Sequence, residues 1–291
     1  MVEVACGNGY LLRRLVELGI ARGIGIDPSP PFEGVERVGD SELRFIRDYY
    51  GDDHAGLGAE LICCRHALHE VARPRDLLRT IRRAAGEDPS HTVYVEVPNG
   101  ADIFAEPSPW RLMYEYASYF TAESLEALFA IAGFRTRRVA PCYVGGQYLA
   151  IEAAPMSSAG ADGRATWRPA SAERLRALVD FGRGLGRALE EWERRLENLA
   201  RAGGRIAVWG AGGRGLNFLA LVAASRAVGC VVDINPSRHG GFVPRAAQQV
   251  MAPEALIDYR PSVVIVTTPT YRSEIERQLA DMRLSCSVVT I

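Results

Sequence analysis

Two glycine-rich turns hold the residues whose types and spacing suit nucleotide chemistry. The first is Val2-Glu3-Val4-Ala5-Cys6-Gly7-Asn8-Gly9-Tyr10-Leu11-Leu12, an apolar strand bearing one acid, then a turn, then a helix start. Gly7 and Gly9 let the backbone turn tightly and approach a ligand where a Cβ would clash. The next apolar run, Gly23-Ile24-Gly25-Ile26, ends in Asp27. A carboxylate one βα unit after such a turn is placed to bond ribose hydroxyls. The loop lacks the third glycine of a dinucleotide fingerprint and is a poor cradle for pyrophosphate. The second turn, Gly210-Ala211-Gly212-Gly213-Arg214-Gly215, is a complete G-x-G-x-x-G with Asp233 at the end of the following strand. Read alone, it suits NAD.

Other chemistries are excluded or unsupported. All 34 basic residues are arginine, so lysine Schiff bases and P-loop lysine chemistry are absent. His66 and His69 could share a helical face, but no acidic third ligand is suitably spaced, and the remaining histidines are scattered. No metal site is expected. The six cysteines lack C-x-x-C spacing and mostly lie in apolar runs, which reads as buried free thiols in a reducing compartment. A cytoplasmic protein is expected. The net charge of −1 offers no basic excess for nucleic acid, and no apolar run approaches the roughly 18–20 residues of a membrane span.

The elements that must position these residues follow from hydrophobic periodicity. Val2–Ala5, Gly23–Ile26, Glu60–Cys64, Thr92–Val97 and Tyr148–Ala153 read as strands. Leu11–Leu18, Pro74–Ala85 and Thr121–Ala132 read as helices between them, which predicts βαβ units on a parallel sheet. Pro155–Ala170 lacks periodicity and reads as a linker. Ser171 is placed to cap a long helix carrying a single stripe from Leu175 to Leu199. Gly182, Gly184 and Gly186 predict a kink within it. The stripe packs within the chain or, alternatively, forms a homodimer seam. From Arg205 onward about four strands with intervening helices form a second, smaller α/β unit. The expected layout is therefore 1–154, a linker and helix over 155–204, and 205–291, with Rossmann-like α/β folds at both ends.

The first stretch resembles a class I S-adenosylmethionine (SAM)-dependent methyltransferase. The resemblance rests on the acid-x-Gly-x-Gly turn, Asp27, the acid of Arg44-Phe45-Ile46-Arg47-Asp48, and Glu60–His66, in that order. It implies that Glu3, Gly7 and Gly9 surround the methionine part of SAM, that Asp27 holds ribose, that Asp48 contacts adenine, and that His66 lies beneath the sulfonium. Met113–Phe120, Thr121–Phe134, Glu96-Val97-Pro98 and Gly145-Gly146 are similar to the corresponding segments of sugar C-methyltransferases. Val232-Asp233-Ile234-Asn235-Pro236 and Ser273-Glu274-Ile275 are similar to the second Rossmann-like domain of that family. The implied acceptor is a nucleotide-linked keto-deoxysugar. Its diphosphate would meet Gly210, Gly212, Gly215, Arg214, Asp233 and Arg238.

Three departures stand out. Nothing corresponding to the family's N-terminal zinc module precedes Val2, one Glu-His pair is Glu115-Tyr116, and another is inverted as His69-Glu70. Methylation of carbon beside a ketone requires a base with a pKa near neutrality. His69 suits this unshifted, Glu115 would need its pKa raised by burial, and Tyr116 could donate to an enolate. The expected activity is SAM-dependent methylation of a small metabolite at carbon or oxygen. The rival readings are a non-catalytic SAM- or nucleotide-binding protein and an NAD-dependent oxidoreductase using the second glycine loop.

Overall fold

The computed structural model describes residues 1–30, 32–157 and 171–291. Its contacts divide into two units, Met1–Asp102 with Glu115–Pro169, and Ile103–Tyr114 with Ala170–Ile291.

In the first unit, short apolar strands alternate with helices as expected: β1 (Val2–Val4), α1 (Tyr10–Val16), β2 (Arg22–Asp27), β3 (Gly34–Val38), β4 (Ser41–Arg47), β5 (Leu61–Arg65), α2 (Pro74–Ala85), β6 (Thr92–Pro98) and the start of α3 (Gly100–Phe104), whose last two residues fall in the second unit. Then come α4 (Ala122–Ile131), β7 (Phe134–Cys142) and β8 (Tyr148–Pro155). The sheet runs β3-β4-β2-β1-β5-β6-β8-β7. Its middle, β4-β2-β1-β5-β6, is parallel, while β3, β8 and β7 are joined by antiparallel pairings. The parallel part is doubly wound and reverses direction between β1 and β5, so its ligand crevice lies beyond the carboxyl ends of those two strands.

β6 shows how the sequence chooses faces. Val93, Val95 and Val97 are buried in the core with Leu78 and Ile81 of α2 and Leu125 and Phe129 of α4. Successive strand residues alternate faces, so Tyr94 and Glu96 lie on the other side. Helix α4 starts where Thr121 Oγ1 accepts from the Ser124 N–H and Ser124 Oγ accepts from the Thr121 N–H at 2.9 Å. Pro74 opens α2, where a missing N–H costs nothing.

The second unit contains α5 (Ala172–Arg201), β9 (Ile206–Trp209), α6 (Gly213–Leu221), β10 (Val228–Val232), β11 (Val250–Met251) and α7 (Ala255–Tyr259). β12 (Val263–Val266), α8 (Arg272–Asp281) and β13 (Ser287–Thr290) complete it. Its sheet has five parallel strands in the order β11-β10-β9-β12-β13, one more than expected, because the two-residue β11 is too short to show a period. Its crevice lies where the order reverses, beyond β9 and β12.

Helix α5 corrects two expectations. Ser171 Oγ caps it by accepting from the Arg174 N–H, but it runs unbroken through its glycines. Only Gly184 is demanded by packing, since a Cβ there would lie 2.4 Å from Pro107 Cβ. The stripe is also divided: Trp192 and Leu196 are buried, whereas Leu175 and Leu178 are exposed. The helix belongs to the second unit and not to a separate linker, and that unit also takes residues 103–114. The expected linker begins with Pro155 inside β8, and its residues from 158 to 170 lie outside the described residues.

Among the described residues no helix is long and apolar enough to cross a membrane, and no cluster of three acidic, histidine or cysteine side chains could hold a metal. Cys6, Cys63, Cys64 and Cys230 are buried free thiols; Cys142 and Cys286 are partly buried.

Candidate functional site

At the carboxyl end of β1 the glycine turn is tied to the next strand. The Gly7 N–H donates to Asp27 Oδ2 at 2.9 Å, and the Ser29 N–H donates to Asp27 Oδ1 at 2.8 Å. The two glycines serve different ends. Gly9, at φ +73°, would put a Cβ 2.3 Å from the Phe45 ring, so packing against β4 requires it. Gly7, at φ +53°, faces open space with nothing within 4 Å of a built Cβ. Gly7 is the one that leaves room for a ligand.

Glu3 lies 4% exposed on β1. Its Oε2 is buried without a hydrogen-bond partner, and burial raises its pKa to about 7, with Asp27 adding to the rise and Arg65 and the Leu12 N–H opposing it. A buried carboxylate oxygen of this kind suits a cationic donor. Asp48 sits beside Asp27, its N–H donating to the Asp27 carbonyl at 3.1 Å. An open turn, a strand-end acid, a second acid beside it and an unpaired buried carboxylate together fit SAM, whose ammonium and ribose hydroxyls are donors.

The expected catalytic residues also converge. The carbonyl of His69 accepts from the Ala117 and Ser118 N–H groups, which docks the segment following Glu115 and Tyr116 against it. The Tyr116 and His69 rings meet edge to face at 4.3 Å. The chemistry differs from expectation, however. His69 is 2% exposed, and burial lowers its pKa to about 4, helped by His66, so it is neutral near pH 7 and a weak base. Glu115 is exposed and lacks the burial that its expected role as base required. Glu70, absent from the sequence-based site, has its pKa raised by burial and by Glu115.

Sequence reasoning also missed a polar cluster beyond β5 and β6. Glu96, 5% exposed, accepts from Arg65 Nε at 2.8 Å and the Tyr143 hydroxyl at 2.9 Å through Oε2, and from the Tyr94 hydroxyl at 2.6 Å through Oε1. Burial would raise its pKa, but the hydrogen bonds from Tyr94, Arg65 and Tyr143 hold it below the ordinary value. His66, at φ +57°, lies with Nε2 3.3 Å from Glu96 Oε2. The period of two in β6 pairs Tyr94 with Glu96 on one face and was the available signal. Arg65 and Tyr143 join them only through sheet register.

The second glycine loop repeats the logic of the first. The Ala211 N–H donates to Asp233 Oδ2 at 2.7 Å and the Asn235 N–H to Oδ1 at 2.8 Å. A Cβ on Gly210 would lie 2.2 Å from Thr267 Oγ1, and one on Gly215 1.9 Å from the Gly210 carbonyl oxygen, so both serve packing. Gly212 faces open space except for Arg238, whose Nη1 would lie 3.8 Å from its Cβ. Arg238 is not a free cation awaiting phosphate, because its Nη1 also donates to Asp233 Oδ2 at 2.8 Å. Burial would raise the pKa of Asp233, but the Asn235 and Ala211 N–H groups and Arg238 hold it down.

Residues 1–139 match the methyltransferase domain family, and residues 162–288 match the C-methyltransferase C-terminal domain family. No curated protein matches. Solved structures similar to this chain include a SAM-dependent methyltransferase from Mesorhizobium loti, with 16% identity and a TM-score of 0.40 over 53% of this chain and 89% of that one. Another, from Archaeoglobus fulgidus, has 15% identity and a TM-score of 0.39 over 53% of this chain and 84% of that one. A neocarzinostatin-biosynthesis O-methyltransferase in complex with SAM has 18% identity and a TM-score of 0.42 over 53% of this chain and 48% of that one.

Proposed function

We propose that this chain, whose two parts match the methyltransferase domain family and the C-methyltransferase C-terminal domain family, is a SAM-dependent methyltransferase that methylates carbon beside the ketone of a nucleotide-linked deoxysugar. The observation that carries this reading is the pairing of those two domains in one chain, each with its own glycine turn and strand-end acid.

When bound, SAM supplies an electrophilic methyl group on a sulfonium. The chain's own residues do the remaining work. Glu3 Oε2 accepts from the ammonium, Asp27 from the ribose hydroxyls, and Asp48 contacts adenine, with Gly7 leaving the backbone open and Gly9 fixing the turn. His66 borders the reacting region. Holding two reactants near contact is worth about 7–11 kcal/mol, so positioning dominates. Glu70, whose carboxyl pKa is raised by burial and by the neighbouring Glu115, takes the proton α to the ketone. Neutral His69, a weak base at neutral pH, instead donates a hydrogen bond to the developing enolate oxygen, as neutral histidines do elsewhere. Tyr116 holds the His69 ring and is a second donor.

In the second unit, Gly212 leaves the loop open to a diphosphate at the start of α6, with Gly210, Gly215 and Asp233 holding its shape. Arg238, anchored on Asp233, offers its remaining N–H groups to phosphate, and Arg214 sits on the first turn of the helix. Unmodified NAD would have to displace the Arg238–Asp233 pair to reach the acid with its ribose, which disfavours the oxidoreductase reading.

The test is incubation of the chain with SAM and dTDP-4-keto-6-deoxyglucose in D2O. Carbon transfer predicts a C-methylated sugar. With S-adenosylhomocysteine in place of SAM, it predicts deuterium at the α-carbon. O-methylation without exchange would reassign the nucleophile. Binding of S-adenosylhomocysteine with neither exchange nor transfer would favour a non-catalytic role.

A further inference from the structure

The chain leaves the first unit after Asp102 and re-enters it at Glu115. It is fastened on each side of that re-entry. In the second unit, Asn217 of α6 donates through Nδ2 to the Leu112 carbonyl at 3.0 Å and the Trp110 carbonyl at 3.4 Å, and lies 3.5 Å from Met113 Sδ. Met113 also covers the first turn of α6, where a Cβ on Gly213 would lie 2.8 Å from its Sδ. In the first unit, the His69 carbonyl accepts from the Ala117 N–H at 2.8 Å and the Ser118 N–H at 3.0 Å. Five residues span roughly 17 Å at full extension, so Leu112 and Ala117 anchor the two ends of one short strap.

Between the anchors, Glu115 stands at φ +86°. A residue other than glycine keeps such a conformation only where its surroundings over-determine it. The side chains of Tyr114 and Glu115 are both exposed, so the constraint comes from the backbone anchors on either side. Glu115 in turn acts on Glu70. Two ionisable groups face the Glu70 carboxyl: Glu115, whose like charge adds to burial in raising its pKa, and His69, whose Nε2 lies 3.7 Å from Oε1 and which is neutral near pH 7. Repulsion between like charges falls with distance, so the place where the strap holds Glu115 decides how basic Glu70 is.

We propose that Asn217 and Met113 are positioning residues for proton transfer at Glu70: they fix one end of the strap, His69 fixes the other, and the strap so held keeps Glu115 beside Glu70. This rests on the reading of Glu70 as the base. It gives the second unit a part in the chemistry through the chain itself, with no contact to the acceptor required.

The test follows α-deuterium exchange into dTDP-4-keto-6-deoxyglucose in D2O with S-adenosylhomocysteine bound, from pH 4 to 8. In the wild type the rate should rise through the pKa of Glu70. Glu115→Gln removes the like charge and should move that rise to lower pH by about half a unit or more. Asn217→Leu should move it equally, and the double variant no further than either single one, because both act through Glu115. Met113→Ala should give a smaller displacement in the same direction. Two glycines inserted between Tyr114 and Glu115 leave every anchoring bond in place and should reproduce the full displacement, which decides the matter if Asn217→Leu does not fold. Each variant should bind S-adenosylhomocysteine within twofold of wild type. A rise that stays in place in Asn217→Leu and in the insertion while Glu115→Gln moves it would overturn the positioning role and leave Glu70 as the base. Displacements that add in the double variant would do the same. A rise that Glu115→Gln leaves in place, or a wild type that binds S-adenosylhomocysteine without exchange, would overturn the Glu70 reading and the positioning role with it.

Discussion

Glu3 and Asp27 sit on the neighbouring strands β1 and β2, and their environments predict different behaviour. Glu3 is the acid with an unpaired oxygen, and its pKa is raised to about 7 by burial. A cationic ligand needs the ionised form, so S-adenosylhomocysteine affinity should rise between pH 6 and 8, by up to about tenfold per unit on the acid side of 7. Calorimetry across that range checks it, and Glu3→Gln should flatten the profile. The same shift carries an opposite consequence for stability. An acid raised from 4.5 favours folding while protonated, and that contribution is lost as pH climbs from about 4.5 to 7. The ligand-free Glu3→Gln chain should therefore be more stable than wild type at pH 8, by about 2–3 kcal/mol in denaturant titration, while binding ligand worse. Asp27 behaves otherwise, because the carboxylate proposed to hold ribose also anchors the Gly7 N–H. Asp27→Ala should weaken S-adenosylhomocysteine by about 1–3 kcal/mol, and a variant that bound normally would remove it from the site.

Among the elements, α5 gives the cleanest contrast between propensity and packing. Gly182 and Gly186 face open space, so replacing each with alanine should stabilise the chain by about 0.5–1 kcal/mol. Gly184→Ala should destabilise it, because the new methyl meets Pro107. Thermal unfolding of the three variants separates the cases. The elements also show what the sequence makes legible. Thr121, Ser171 and Pro74 mark helix starts correctly because capping is local chemistry, and the buried parallel strands announce themselves as apolar runs. β3, β4 and β7 escape because their polar residues, such as Glu36 and Arg44, and Arg135 through Arg138, break up the apolar pattern. The site divides similarly. Glycine turns and strand-end acids lie within a few residues of their elements, so spacing reveals them. The Arg65–Glu96–Tyr143 cluster draws on residues 31 to 78 positions apart, and only the pairing of β5 with β6 and β8 with β6 brings them together.

At the scale of the whole molecule, each unit buries its own core, one around Leu78, Phe129 and Val95, the other around Trp192, Phe218 and Ile265. S-adenosylhomocysteine at 100 times its dissociation constant should stabilise the first by about 2.7 kcal/mol. Calorimetric scanning should then show a raised transition for that unit, and dTDP should raise the other. The division of the chain adds a requirement on synthesis. Trp110 is encoded between β6 and α4, yet it packs edge to face on Trp192 at 6.2 Å and on Phe218 at 5.4 Å. At about 5–20 residues per second, a ribosome takes roughly 5–20 s to pass from Trp110 to Phe218. For that interval the nascent first unit carries an indole with no partner, a hydrophobic loop-out that a trigger-factor-type holdase would shield. A gene cut between the two matched domains would make that exposure permanent in one product and leave the other with a tryptophan-sized hole.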